Sequence, residues 1–321
     1  MSALKPTSVA VLSRSFSRNP VLREELQARH ANVVFNDAGR TLGGQELIDF
    51  LAPHDGAIVA LERIDEATLA ALPRLKILAK YGVGLDNVDL AAAAKFGIKV
   101  GWKGGVNRRA VSELAISLII AGLRGVAHCH EEIKRGVWRQ YTGRQLSHAT
   151  VGLVGFGHVG QDLAGLLRAF GAKTLAADIR DLSAEADALG VRLVSFDDLV
   201  AECDVLSFHV PLTPATANML DAQRLARMRR GAVVVNTARG GLIDEDALAA
   251  ALRDGRIAAA ALDVFAAEPP GESALLSAPG FLATSHIGGS ALEAQLAMGR
   301  AAIEGLSSAT DPESFIPSWA R

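Results

Sequence analysis

Short apolar runs alternate with amphipathic stretches along this 321-residue chain, and that alternation restricts its fold more than any other feature. In the first third the runs are SVAVL, NVVF, GAIVAL, LKILA and IKVG. Helix-like segments such as PVLREELQARH and DEATLAALP lie between them. Asn87 stands where it would cap another, VDLAAAAKFG, with Gly97 closing its end. From Thr150 the series starts again with TVGLVGF, AKTLAAD, VRLVS, DVLSFHV, AVVVNTA, IAAAALDVF and FLATSH. Continuous apolar strands alternating with helices are buried when helices cover both faces of a parallel sheet. Two series therefore predict two doubly wound α/β domains.

The divider is the segment 107–135, where Val111, Leu114, Leu118, Ile119, Leu123 and Val126 follow helical spacing. The last helix-like stretch, ALEAQLAMGRAAIEGL, is expected to cross back to the first domain. The first domain is then discontinuous, residues 1–106 plus 290–321, around a second domain of residues 107–289.

Composition narrows the function classes. A net charge of -2 leaves no basic footprint for a nucleic acid. No apolar segment is long enough to predict a membrane span, and the N-terminal stretch lacks a secretory core. Cys129 and Cys203 lie far apart and outside any CxxC pattern, which argues against a disulfide framework or a zinc site. The expectation is a cytoplasmic protein acting on a small molecule, with no nucleic acid, no membrane and no metal.

Gly155, Gly157 and Gly160 form a GxGxxG pattern between the apolar strand VGLV and the amphipathic helix QDLAGLLRAF. In that context Gly155 permits the tight turn, Gly157 lets the backbone approach a pyrophosphate, and Gly160 lets the helix pack closely. The phosphates would meet the free N–H groups of the helix start, with Phe156, His158 and Val159 completing the turn. The next strand ends in Asp178, a carboxylate suited to the ribose hydroxyls of NAD and repulsive to a 2′-phosphate. Arg180, two positions on, softens that preference and keeps NADP open as an alternative.

Three further motifs, NTARGGLIDEDAL, ALDVFAAEPP and SHIGGS, each begin at the end of a strand-like run. In a doubly wound sheet those ends face one ligand-binding crevice. Arg239, Glu268 and His286 would meet there as a guanidinium for a carboxylate, a carboxylate to orient an imidazole, and an imidazole to move a proton.

With these motifs the chain resembles the D-isomer-specific 2-hydroxyacid dehydrogenases over nearly its whole length. The resemblance also takes in KYGVGLDNVDL, GVNRRAVSELAISL and SFHVPLTPAT. It implies a Rossmann NAD-binding domain and a flavodoxin-like substrate domain, with the active site in the cleft between them. It implies that Arg239, Glu268 and His286 are catalytic and that the backbone of Val83 and Gly84 holds the substrate carboxylate, with Lys80 and Tyr81 beside it. It places Asn107, His209, Val210, Pro211, Thr216, Thr237, Ala238, Asp263 and Gly288 along the cofactor. The expected reaction is hydride transfer between nicotinamide and C2 of a small D-2-hydroxy or 2-keto acid. Relatives are usually dimers built around the connecting helix, so a homodimer is expected.

The chain departs from the family in two places. Lys103, Gly104 and Gly105 replace the usual Thr-Pro-Gly, with Trp102 just before them. Lys80 stands near where the phosphoglycerate enzymes carry an arginine for the phosphate. The chain ends at Arg321, so the C-terminal regulatory domain of the longer phosphoglycerate enzymes is expected to be missing. The alternative from another class is an NAD(H)-sensing binding protein of the C-terminal-binding-protein corepressor type, on the same scaffold.

Overall fold

Twelve strands account for the twelve apolar runs, and they fall into two sheets in a computed structural model that describes residues 5–316. Two compact units carry them. One runs through Asn107 and resumes at Ala291; the other is Arg108–Ser290.

The first unit holds β1 (Val9–Val11), β2 (Val33–Phe35), β3 (Gly56–Val59), β4 (Ile77–Lys80) and β5 (Lys99–Gly101). All pairings are parallel, in the order β2-β1-β3-β4-β5, which is the flavodoxin-like order. Successive side chains feed opposite cores: Val9, Val11, Ile77 and Ala79 pack on one face, Ala10, Leu12 and Leu78 on the other. This is why the runs read as continuously apolar rather than alternating. The helix Leu292–Ser308 returns to this unit and buries Met298, Ala302, Ile303 and Leu306. It comes so close to β5 that a Cβ on Gly101 would meet the Gly305 carbonyl oxygen at 2.2 Å.

The second unit holds β6 (Thr150–Val154), β7 (Lys173–Ala177), β8 (Arg192–Leu193), β9 (Val205–Phe208), β10 (Ala232–Asn236), β11 (Ile257–Leu262) and β12 (Phe281–Ala283). The order is β12-β11-β10-β9-β6-β7-β8, again all parallel. Read from β8 it is the Rossmann order extended by one strand, and it reverses direction between β6 and β9.

Two local expectations fail, each for a physical reason. The helix Leu90–Lys95 is capped by Asp89, whose side chain accepts from the Ala92 N–H, and not by Asn87. Asn87 is turned the other way and donates to the carbonyls of Ala60 and Glu62. The connecting segment is not one helix. Gly125, at φ +62, ends Arg108–Arg124 and starts Val126–Lys134, with a bend of 65°. A left-handed residue interrupts the helical hydrogen bonds, so Val126 leaves the apolar stripe and is exposed.

Candidate active site

The glycine turn has the geometry its spacing implies. Gly155 lies at φ +93, and a Cβ there would strike the His209 carbonyl oxygen and Val210 at 2.7 Å. At Gly160 a Cβ would meet the Gly155 oxygen at 2.3 Å, so only glycine lets the helix His158–Ala169 start this close to β6. Gly157 caps that helix without a side-chain hydrogen bond. Its own Cβ position meets nothing nearer than the Arg180 guanidinium at 3.5 Å. Uncapped N–H groups and an open approach at a 12-residue helix start are what a pyrophosphate requires. The Phe156 side chain points into the core, so its part in the turn is played by its backbone.

Asp178, just beyond β7, accepts from the Phe156 N–H at 2.8 Å and is gripped by Arg180 on both oxygens, each at 3.0 Å. Burial opposes its ionisation, but the Arg180 guanidinium and the N–H groups of Arg180 and Phe156 outweigh it and hold the carboxyl below its usual range. Arg180 was expected only to soften the cofactor preference; the structure pairs it directly with the Asp178 carboxylate.

The three expected catalytic residues follow three neighbouring strands, β10, β11 and β12, at the same end of the sheet. At the end of β10, Asn236 donates to the Arg239 carbonyl at 2.7 Å and accepts from the Ala238 N–H, fixing the turn. Gly240 follows. A Cβ there would lie 1.9 Å from the backbone of Phe265, so glycine allows the Arg239 loop to lie directly on the loop after β11. In that second loop Glu268 accepts from the Phe265 N–H at 3.1 Å with Oε1 and meets His286 Nδ1 at 2.8 Å with Oε2. A carboxylate only accepts, so Nδ1 carries the hydrogen and Nε2 is left for chemistry.

His286 sits at φ +54, a left-handed backbone that costs a residue with a β-carbon about 1–3 kcal/mol. Asp263 holds it there. The His286 N–H donates to the Asp263 carbonyl, Thr284 Oγ1 and the Ile287 N–H donate to Oδ1, and the Gly288 N–H donates to Oδ2. Asp263 was expected to line the cofactor. It is buried, and both its oxygens hold the loop that carries His286.

The remaining cofactor-side residues divide in the same way. Thr216 was expected beside the cofactor, yet its hydroxyl donates to Pro211 and accepts from the Thr213 N–H, which shapes the Val210–Pro211 loop from within. His209 meets Ser207 Oγ at 3.0 Å through Nε2, while its enclosed Nδ1 has no partner among the described residues. Burial pushes its imidazole down to about 4, so it is neutral near neutral pH and is no proton carrier there. Thr237 Oγ1 and Asn107 Oδ1 are likewise enclosed without a partner among the described residues. Ala238 is half-buried, and Gly288 is buried against Asp263.

In the first unit the expected substrate loop follows β4. Lys80 and Tyr81 were expected to reach the substrate with their side chains. Instead the Lys80 ammonium is buried and donates to the Ala60 carbonyl and Asn87 Oδ1. The Tyr81 ring packs edge-on against Phe16 at 5.7 Å. Strand alternation explains both, since β4 is covered on its two faces and has no solvent side. Val83 and Gly84 remain half-buried in the loop that these side chains anchor.

Sequence reasoning missed the positioning residues Asn236, Gly240, Asn87 and Trp102. For Gly240 a signal existed in the doubled glycine of ARGG, and for Asn236 in its place two and three residues before the turn it fixes; for Asn87 and Trp102 the partners are too distant in sequence to be seen.

Comparison with known proteins agrees with this geometry. Residues 116–288 match the family model for the D-isomer-specific 2-hydroxyacid dehydrogenase, NAD-binding domain. A D-3-phosphoglycerate dehydrogenase from Mycobacterium leprae is 43% identical over 234 residues, which are 72% of this chain and 44% of that protein. A hydroxypyruvate reductase from Thermotoga maritima is 39% identical over 265 residues, 81% of this chain and 86% of that protein. The chain spans about half the length of the phosphoglycerate dehydrogenases it matches. A crystal structure from Polaromonas sp., described as an NAD-binding D-isomer-specific 2-hydroxyacid dehydrogenase, superposes with a TM-score of 0.85 at 30% identity, covering 94% of this chain and 96% of that one. The glycine turn, the Asp178 carboxylate and the His286–Glu268 pair thus stand in an NAD-binding domain, and the chain belongs to the D-isomer-specific 2-hydroxyacid dehydrogenase family.

Proposed function

We propose that this chain is an NAD-dependent dehydrogenase acting on a small D-2-hydroxy acid or its 2-keto form. The observation that carries the reading is the His286 Nδ1–Glu268 pair, 2.8 Å long, at the strand end next to Arg239 on an NAD-binding sheet. When bound, the nicotinamide supplies hydride to C2 of the keto acid or accepts it from the hydroxy acid. The Arg239 guanidinium binds the carboxylate and polarises the keto oxygen. His286 Nε2 protonates that oxygen during reduction and takes the proton back during oxidation, while Glu268 keeps the ring in place. In the first unit, the amides of Val83 and Gly84 are donors suited to a substrate carboxylate.

The substrate class includes 3-phosphoglycerate, hydroxypyruvate and glyoxylate. Burial of Lys80 favours an unphosphorylated acid, because no ammonium at that position reaches outward to a phosphate. The Asp178 carboxylate favours NAD(H); its pairing with Arg180 keeps NADP(H) within reach. We place the enzyme in the cytoplasm as a homodimer. The exposed apolar side chains Val126, Ile133, Val137 and Trp138 on and after the second connecting helix support a covered face there. The corepressor-like alternative has no specific observation in its favour.

The test is steady-state oxidation of NADH and NADPH with glyoxylate, pyruvate, hydroxypyruvate and its phosphate ester. Turnover with at least one acid, and preference for NADH, are expected. His286→Ala should lower kcat by about 10²–10⁴-fold in both directions while NADH still binds. No turnover with any of these acids by the native chain would refute the reading.

A further inference from the structure

We infer that Trp102 is a positioning residue for substrate binding: its indole aims the Gly84 amide at the substrate carboxylate. The inference rests on the reading of Val83 and Gly84 as the carboxylate-binding backbone, and it adds a residue, Trp102, that stands just before the stretch where this chain departs from its relatives.

Trp102 Nε1–H donates to the Val83 carbonyl at 3.0 Å. That carbonyl and the Gly84 N–H belong to one planar trans peptide, so they point in opposite directions. A donor that holds the carbonyl on the inner side of the loop sends the N–H outward. Gly82, at φ +130, and Gly84 flank Val83, and without β-carbons they leave the backbone on both sides of it free to rotate. A loop with such a residue needs an external hold to keep one orientation, and the indole supplies it.

The indole is itself held. Its ring meets Phe315 edge-on, with centroids 5.4 Å apart and planes at 76°. Phe315 ends a short 3-10 turn, Pro312–Phe315, that is tied back onto β5. Val100 and Thr310 exchange N–H···O bonds of 2.9 and 3.0 Å, and Lys99 pairs with Asp311 at 3.1 Å. The close Gly101–Gly305 contact seats the preceding helix. The C-terminal turn thereby buttresses Trp102, and Trp102 fixes the loop. At the loop's far ends the Tyr81 N–H bonds the Val59 carbonyl and Asn87 bonds Ala60 and Glu62, while the indole acts at Val83, in between.

The experiment uses the full chain with NADH at saturation and the best keto acid of the panel. Trp102→Phe keeps a six-membered ring against Phe315 and removes the N–H donor with the rest of the pyrrole ring. KM for the keto acid is expected to rise about 3–10-fold, the loss of one neutral hydrogen bond, with kcat and the Kd of NADH unchanged. The Kd of oxamate, a non-reacting carboxylate probe measured on the NADH complex, should rise by the same factor. Phe315→Leu should raise both in the same direction by less, and the double variant should fall short of the product of the two. Native KM and oxamate affinity in Trp102→Phe would overturn the inference, as would an effect confined to kcat or to NADH. A native chain that turns over no keto acid but binds oxamate with NADH, more weakly in Trp102→Phe, would sink the functional reading and leave this inference standing.

Discussion

The loop that carries His286 and the loop that carries Val83 and Gly84 are held by opposite chemistry. In the second unit the anchor is an acceptor: the side chain and carbonyl of Asp263 collect the N–H groups of His286, Ile287 and Gly288 and the hydroxyl of Thr284. In the first unit the anchors are donors: Trp102 takes up the Val83 carbonyl, while Lys80 and Asn87, at the two ends of the loop, donate to the Ala60 and Glu62 carbonyls of the neighbouring loop after β3. The difference follows from what each loop presents. A loop that offers a side chain can have its N–H groups consumed from behind, and it gains rigidity by it. A loop that offers N–H groups to an anion, the role proposed for Val83 and Gly84, must keep them free, so donors hold it instead, on the Val83 carbonyl and at its two ends.

The sharpest way to break this comparison is Asp263→Asn. The amide turns an NH₂ group toward donors that need an acceptor and leaves buried N–H groups unmatched. We expect kcat to fall about 100-fold through a displaced imidazole, and stability to fall by about 2–3 kcal/mol, with KM for the keto acid changed much less. Steady-state kinetics and urea unfolding of the same preparation check both. A variant with native kcat would remove Asp263 from its positioning role.

Lys80→Met tests the other half. Methionine fills similar space but cannot donate, so the substrate loop loosens while the histidine loop is untouched. The expected result is a rise of about 3–10-fold in KM for the keto acid at constant kcat, the mirror image of Asp263→Asn. A fall in kcat with KM unchanged would erase the distinction between the loops.

A smaller effect concerns acid. Burial holds His209 in the second unit at about 4, and it also lowers His30 and His54 in the first. For each, the folded state binds its proton less readily than the unfolded chain. The stability contributed is present above the unfolded value of about 6.5 and is lost as pH falls from there toward the folded value. His209 alone accounts for a loss of at most about 2 kcal/mol between about pH 7 and pH 5. His209→Asn should flatten that part of the urea-midpoint profile and leave the share of His30 and His54. An unaltered profile would show that His209 is not held neutral.

Much of the molecule was legible in the chain because it depends on local pattern. Twelve apolar runs are twelve strands, since a strand buried on both faces must be apolar throughout, whatever lies beside it. The glycine turn was readable because backbone approach distances at Gly155 and Gly160 admit no other residue. Arg239, Glu268 and His286 could be picked out because parallel strands bring their C-terminal ends to one edge. What only the tertiary structure decided is the direction of side chains and the identity of distant partners. Asn87 looked able to cap a helix, and its bonds to the carbonyls of Ala60 and Glu62 turn it away, so that Asp89 caps instead. Lys80 and Tyr81 looked like ligands and are anchors, because β4 has no solvent face. Asp263, Thr216 and Trp102 act through hydrogen bonds that depend on where loops and strand ends meet. A side chain's task is set by the groups within about 3 Å of it, and which groups those are is decided by the packing of sheets and helices.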